Sequence, residues 1–271
     1  MKSSTVDTLP FKTSIIPPLS LHALPELSLI VPIYNSSSFL KKSLEDIESF
    51  LNRRCAPAEL ILALDGPTDG SYEICKEFKE GHHSFPVRLI HSSINRGKGF
   101  VVRKAMLEAK GEYRVFIDAD LAYPVSEVEK ILSSLKKNND LALACRTHPD
   151  SRYTLSPAFF RYLYTRHISG RIFNFAVKKT LLPGLDDTQA GLKGFSKKAA
   201  EKIFPVQRLN RFSADVEVLY IAVLKNLSVD QVPINFKYDE EPTTIQFSKD
   251  TVQMLFDLVK IRLTGLLGKY L

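Results

Sequence analysis

Arg114-Val115-Phe116-Ile117-Asp118-Ala119-Asp120 reads as a short apolar strand that delivers two carboxylates, one residue apart, onto the loop that follows. Strand side chains alternate, so Asp118 and Asp120 leave the sheet on one side. Together they can ligate a hard cation, Mg2+ or Mn2+, whose other positions go to phosphate oxygens. On spacing alone the pair fits a solvated turn or a helix cap equally well. The segments on either side decide between these readings.

Upstream, Leu27 to Ile33 is an apolar run, and Leu40, Leu44, Ile47 and Leu51 then recur at helical spacing behind Ser36 to Ser38, which predict an N-cap. The pattern repeats as strand Leu60 to Leu64 with helix Tyr72 to Phe78, and strand Val87 to Ile90 with helix Gly99 to Ala109. Strand Tyr113 to Ile117 with helix Glu127 to Leu135 follows, and then a fifth strand, Leu141 to Cys145. Ser126 and Glu129 match a capping box at the start of the fourth helix. Four β-α units in series predict an α/β fold: a mainly parallel, Rossmann-like sheet flanked by helices.

Such sheets bind ligands at the carboxyl ends of their strands. There the chain reads Pro32-Ile33-Tyr34-Asn35, Asp65-Gly66-Pro67-Thr68-Asp69-Gly70, Asn95-Arg96-Gly97-Lys98-Gly99, Asp118-Ala119-Asp120 and Cys145-Arg146. Carboxylates suit a base and ribose, Gly-Lys-Gly suits backbone approach to phosphate, and the aspartate pair suits a metal bridging phosphates. The same residue types also dominate ordinary turns, so it is the convergence of five loops that points to a nucleotide. No G-x-x-x-x-G-K-[ST] is present, and no G-x-G-x-x-G follows the first strand, which removes the kinase-type and NAD-type readings.

With 44% apolar and 25% charged residues, the 271-residue chain suits one large domain with a tail. We expect a flexible leader over 1–24, the domain over 25–247 and an amphipathic helix over 248–271. The net charge of +7 admits an acidic partner. Cys55, Cys75 and Cys145 form no C-x-x-C pair and are expected to be buried thiols in a reducing compartment. The absence of a signal-peptide core and of any run of about 18 apolar residues predicts a cytoplasmic protein.

Later segments carry a family resemblance. Leu29-Ile30-Val31-Pro32-Ile33-Tyr34-Asn35 resembles the opening strand of the family 2 glycosyltransferases, and Leu64-Asp65-Gly66-Pro67-Thr68-Asp69-Gly70 their D-D-G-S-x-D-G loop. Asn95-Arg96-Gly97-Lys98-Gly99 is similar to their N-x-G-K-G. Asp187-Thr188-Gln189-Ala190-Gly191-Leu192-Lys193-Gly194-Phe195 resembles the D-T-Q-C-G-F-K-x-F of the dolichyl-phosphate glucosyltransferases, and Phe212 to Leu219 resembles their F-D-x-E-L. Departures are Ser36 for the usual Glu, Leu64 for the first Asp of the pair, and Pro67 for Ser. Leu121-Ala122-Tyr123-Pro124 stands where mannosyl-transferring relatives read L-Q-H-P, which leans toward glucose.

The resemblance implies the nucleotide-diphospho-sugar, or GT-A, fold and transfer of a hexose from UDP-glucose or GDP-mannose to a polyprenyl phosphate. It further implies Asp118 and Asp120 as metal ligands, with Arg146 and Asp215 catalytic beside them. Pro32, Tyr34, Asn35, Asp65, Lys98, Asp118, Ala119, Asp187 and Gln189 would bind the nucleotide sugar. The acceptor phosphate is assigned to Arg161, Arg166, Arg171 and Lys193. Arg161 to Lys179 interleaves cations with aromatic residues, which suits a lipid headgroup at a membrane surface, or a core-packing helix with snorkelling cations. The last segment carries Leu255, Phe256, Val259, Leu263 and Leu266 with Lys260, Arg262 and Lys269. It fits a bilayer interface, packing on the sheet, or packing on a second subunit. The expected location is the cytosolic face of a membrane, with no nucleic-acid partner. A hydroxyl acceptor is the alternative, and it would need Asp187 or Asp215 as a base.

Overall fold

Leu60 to Leu64 form an unbroken apolar run because their strand, β2 (Ala58–Asp65), is buried on both faces. The computed structural model describes residues 24–155, 173–238 and 247–271. The first half runs β1 (Leu27–Ile33), α1 (Ser37–Asn52), β2, α2 (Ser71–Glu80), β3 (Val87–Ser92), α3 (Lys98–Glu108), β4 (Tyr113–Ile117), α4 (Val128–Lys136) and β5 (Leu141–Cys145). The predicted elements are all present there, their ends shifted by a residue or two. Beyond them come β6 (Arg152–Leu155), α5 (described over 173–180), β7 (Leu192–Ser196), α6 (Lys197–Ile203) and α7 (Ala214–Leu224). The chain closes with β8 (Val229–Pro233), β9 (Asn235–Tyr238) and α8 (Phe247–Leu266). Residues 1–23, the bulk of the expected leader, lie outside the described residues, as do Arg161, Arg166 and Arg171.

Seven strands form one sheet in the order β3-β2-β1-β4-β7-β5-β8, and β6 pairs with β9 apart from it. All neighbours in the large sheet are parallel except β7, which runs antiparallel to both β4 and β5. Strand alternation divides the core between two layers. Ile30, Ile61, Phe116 and Phe195 face Val101 and Ala105 of α3 and the helices α6 and α7. Leu29, Leu62, Val115 and Ile117 face Leu44 and Ile47 of α1 and Ile131 and Leu135 of α4. Helices therefore cover both sides of the sheet, and the β-to-α loops gather at one edge.

Two predicted caps are not made. Ser36 Oγ donates to the Tyr34 carbonyl, while the amino end of α1 is held by Asp69, whose Oδ2 accepts from Ser37 N at 2.9 Å. Burial opposes ionisation of Asp69, but hydrogen bonds from Ser71 and Ser37 outweigh it and bring its carboxyl down to about 2. Ser126 lies in a 3-10 turn, Val125–Glu127, ahead of α4 and caps nothing, because Glu129 is engaged by Arg54. A carboxylate or guanidinium arriving from another element wins over the local serine in both places.

The expectation of three buried thiols is also corrected: Cys75 and Cys145 are buried, and Cys55 is exposed at the end of α1. Burial, with the Asp69 charge nearby, pushes the Cys75 thiol up to about 12, so it stays protonated and unreactive at neutral pH. A thiol reagent at neutral pH should therefore label Cys55 alone in the native protein and all three cysteines in denaturant, as counted by mass spectrometry; fast native labelling of Cys75 would contradict the fold.

Candidate active site

The site rests on the register between β4 and β7. Phe116 pairs with Lys193 and Ile117 with Leu192, and one step further Asp118 N donates to the Gly191 carbonyl at 3.0 Å. The distant 187–195 segment is thereby laid along the strand that ends on Asp118. Glycine is required at 191 by contact: a Cβ there would fall 1.9 Å from Asp118 Oδ2. Gly191 N donates to Tyr123 Oη at 3.3 Å, so the departure Leu121-Ala122-Tyr123 also supports this corner.

Lys98, at the amino end of α3, reaches into the same corner. Its Nζ lies 2.6 Å from Asp118 Oδ1 and 4.0 Å from Asp215 Oδ2, and 5.1 Å from the centre of the Phe116 ring. Burial works against its charge, but Asp118, Asp215 and Asp120 outweigh that and raise its pKa, so it remains an ammonium. Lys193 Nζ sits 2.6 Å from Asp215 Oδ1 and donates to the Ala190 carbonyl. Lys98 and Lys193 thus face Asp118, Asp120 and Asp215, and burial lowers the Lys193 pKa even against the Asp215 charge.

The loop carrying Lys98 is held from both sides. Asp65 accepts from Arg96 N and Gly97 N at 2.8 and 2.7 Å. From the other side, Gln207 Nε2 donates to the Gly99 carbonyl, and Phe100 N donates to the Asn210 carbonyl. Gly97 has φ of 106°, and a Cβ on it would lie 2.4 Å from Asn210 O. Nothing in the sequence signalled the 207–210 loop. Its contribution is made by the Gln207 side-chain amide and the Asn210 carbonyl.

Beside this cluster, Asp187 receives a two-pronged ion pair from Arg146: Nε to Oδ2 at 2.6 Å and Nη2 to Oδ1 at 2.7 Å. Arg146 N donates to the same carboxylate at 3.0 Å. Burial raises the Asp187 pKa, but the Arg146 guanidinium outweighs it and holds the carboxyl below its ordinary value.

Several predicted roles change. Lys193, assigned to the acceptor phosphate, is 0% exposed and its ammonium is closed in by Asp215 and Ala190, so it positions Asp215 instead. Asp65 is buried and acts on the Lys98 loop rather than as an open carboxylate for a base or ribose. Asp187 is buried and orients Arg146 rather than facing a sugar. The Ala119 side chain packs into the core, which leaves only its backbone for a ligand. The remaining candidates lie at the same edge of the sheet. Asn35 ties its loop to Thr68, Pro32 and Tyr34 are half-buried at the end of β1, and Asp120 Oδ1 accepts from Ala122 N. Gln189 Nε2 is buried with no hydrogen-bond partner among the described residues, a donor suited to a ligand oxygen.

Among the described residues no cluster of three or more His, Cys, Asp or Glu side chains could hold a metal by itself. Asp118 and Asp120 instead offer a hard-oxygen pair that fits Mg2+ or Mn2+ when phosphate oxygens supply the rest. In this structure the Lys98 ammonium sits on Asp118 Oδ1.

Fold and site together define a GT-A glycosyltransferase. The chain belongs to glycosyl transferase family 2, whose model matches residues 28–204. It is 32% identical over 250 residues to a dolichyl-phosphate beta-glucosyltransferase of Dictyostelium discoideum, covering 89% of this chain and 75% of that protein. The protein of the same name from Saccharomyces cerevisiae is 32% identical over 262 residues, covering 90% and 76%. The fold also matches Mycobacterium tuberculosis glucosyl-3-phosphoglycerate synthase in complex with Mn2+, uridine diphosphate and glucosyl-3-phosphoglycerate. That match has a TM-score of 0.54 and 15% identity over 86% of this chain and 80% of the other.

Two outcomes test the geometry. Gly191→Ala should displace the Asp118 carboxylate and weaken Mn2+-dependent nucleotide binding at least about tenfold, a loss of about 1.4 kcal/mol, with a near-native melting curve; unchanged calorimetric affinity would refute the contact. Arg146→Met should cost about 3–5 kcal/mol in urea unfolding, because it leaves Asp187 buried without its guanidinium. Since the folded pKa of Asp187 is depressed, its stabilising contribution in the wild type is present above the unfolded value near ~3.9 and is lost on acidification below it. In the variant that contribution should reverse, the buried carboxyl favouring low pH.

Proposed function

We propose that this protein transfers glucose from UDP-glucose to dolichyl phosphate or a closely related polyprenyl phosphate, with Mg2+ or Mn2+, working peripherally on the cytosolic face of a membrane. The observation that carries the reading is the seating of the 187–191 segment on Asp118 beside Lys98. It builds an acidic corner with lysine and arginine at its margins, as a metal-bridged diphosphate requires. The names of the relatives support glucose and dolichyl phosphate. The Mn2+ and uridine diphosphate held by the M. tuberculosis enzyme support the metal and base.

A lipid monophosphate has its second pKa at about 6, so its attacking oxygen is already ionised at neutral pH. No general base is needed. This agrees with the site, where Asp187 and Asp215, the carboxylates a hydroxyl acceptor would have to use, are already bound to Arg146 and Lys193. The chain's task is positioning and charge neutralisation. Asp118 and Asp120 would hold the divalent cation, which when bound supplies positive charge to the diphosphate. Lys98, released from Asp118, and Arg146, fixed in its fork, face the negative charge that grows on the departing nucleotide. The buried Gln189 amide nitrogen would donate to a sugar oxygen. Single displacement at C1 inverts that centre, in keeping with a beta-linked product from an alpha-linked nucleotide sugar. Arg161, Arg166 and Arg171 supply the cations for the acceptor phosphate in this reading.

Incubation with Mn2+, a short polyprenyl phosphate and either UDP-glucose or GDP-mannose should yield a hexose-bearing lipid by mass only from UDP-glucose. Asp118→Asn and Asp120→Asn should each lower transfer at least about 10²–10³-fold and abolish metal-dependent binding of uridine diphosphate. A mannosylated lipid, or transfer untouched by both substitutions, would sink the proposal.

A further inference from the structure

Helix α8 is apolar on two opposite sides, and among the described residues only one of them is covered. On the inner side Leu258 and Ile261 are buried against the domain. Gly265 lies so close to Tyr220 of α7 that a Cβ would sit 2.6 Å from its ring. The tail beyond the helix is pinned as well: Tyr270 is buried, and its hydroxyl donates to Glu217 Oε1 at 2.6 Å. The outer side carries Leu255, Phe256, Val259, Leu263 and Leu266, all exposed, with Phe256 at 68% and Leu266 at 70%. At about 100° per residue these five fall within an arc of roughly 100°. The exposed Lys260 and Arg262 flank that arc on opposite margins.

A lone exposed leucine needs no explanation, whereas a contiguous apolar stripe bordered by cations does. Within 253–271 the acidic side chain is Asp257, which lies outside the arc and accepts from Gln253. A second copy meeting this face about a two-fold axis would bring the cationic margins together with no acid on the stripe to answer them. Lipid phosphates answer both margins at once, and the acyl boundary takes the stripe between them.

We propose that the outer face of α8 is the surface on which this protein lies against an anionic bilayer. This rests on the reading above, in which the acceptor is a lipid phosphate, and adds where the lipid surface is met. The helix is held fixed relative to the nucleotide corner. Glu217, which accepts from Tyr270, also accepts from Arg208 N and Leu209 N, and the next residue, Asn210, receives the Phe100 amide of the Lys98 loop. A docked α8 therefore sets the orientation of the site toward the lipid.

The test is co-sedimentation of the full chain, without nucleotide sugar, with vesicles of phosphatidylcholine alone or mixed with phosphatidylserine. The wild type should bind the mixed vesicles, and less so in high salt. Phe256→Ser/Leu263→Ser should lose binding at least about tenfold, and Lys260→Glu/Arg262→Glu should lose the preference for phosphatidylserine. All are surface positions, so melting curves and transfer to a short, soluble polyprenyl phosphate should stay at wild-type levels. Equal sedimentation of wild type and variants overturns the proposal. So does light scattering that shows a wild-type dimer made monomeric by Phe256→Ser/Leu263→Ser. Normal vesicle binding without glucose transfer would instead remove the functional reading and leave this surface standing.

Discussion

The antiparallel ladder between β4 and β7 is the constraint on which the rest of the structure depends. An all-parallel sheet would end each strand on its own loop, and the carboxylates after β4 would meet only what followed them in the chain. Running β7 backwards into the middle of the sheet puts the residues before it beside the residues after β4. Gly191 then touches Asp118, and Lys193 pairs with Phe116. Packing enforces the register, because a slip of one residue would turn Leu192 and Phe195 away from the layers they fill and bring Lys193 out of its pocket.

Around that ladder the charges divide into two kinds. Lys193 and Asp215 are matched away from solvent, and the desolvation cost of burying such a pair offsets much of its Coulombic gain. Asp187 and Arg146 work similarly, with the guanidinium reaching outward from the carboxylate that orients it. Lys98 and Asp118 are only partly shielded, and in the proposed function theirs is the contact that exchanges with a ligand. The lysine keeps the acidic corner from standing uncompensated, and it lies next to the place where a diphosphate would need it.

The first five strands and their helices were legible because they are apolar at the period their structure demands, and β1, β4 and β5 end where the pattern ends. The later strand β7 was not, since Leu-Lys-Gly-Phe-Ser breaks its apolar run with a lysine whose burial depends on Asp215. Glu217 illustrates the same limit. In sequence it sits in the first turn of a helix, where a carboxylate stabilises the dipole. In the fold it accepts from Arg208, Leu209 and Tyr270, and burial raises its pKa above the ordinary value even against those hydrogen bonds. No local rule places a tyrosine of the chain's last turn against it.

By itself the sequence determined the α/β architecture, the edge of the sheet at which chemistry gathers, and the residue types present there. Periodicity and strand ends are local properties, and they survive without knowledge of partners. Only the tertiary structure decided which carboxylates remain available. Asp65 and Asp187 are engaged by backbone amides and a guanidinium, while Asp118 stands at the open corner with Lys98. Whether a charged group serves the fold or a ligand depends on what is packed within about 3 Å of it, and contacts between distant segments set that distance.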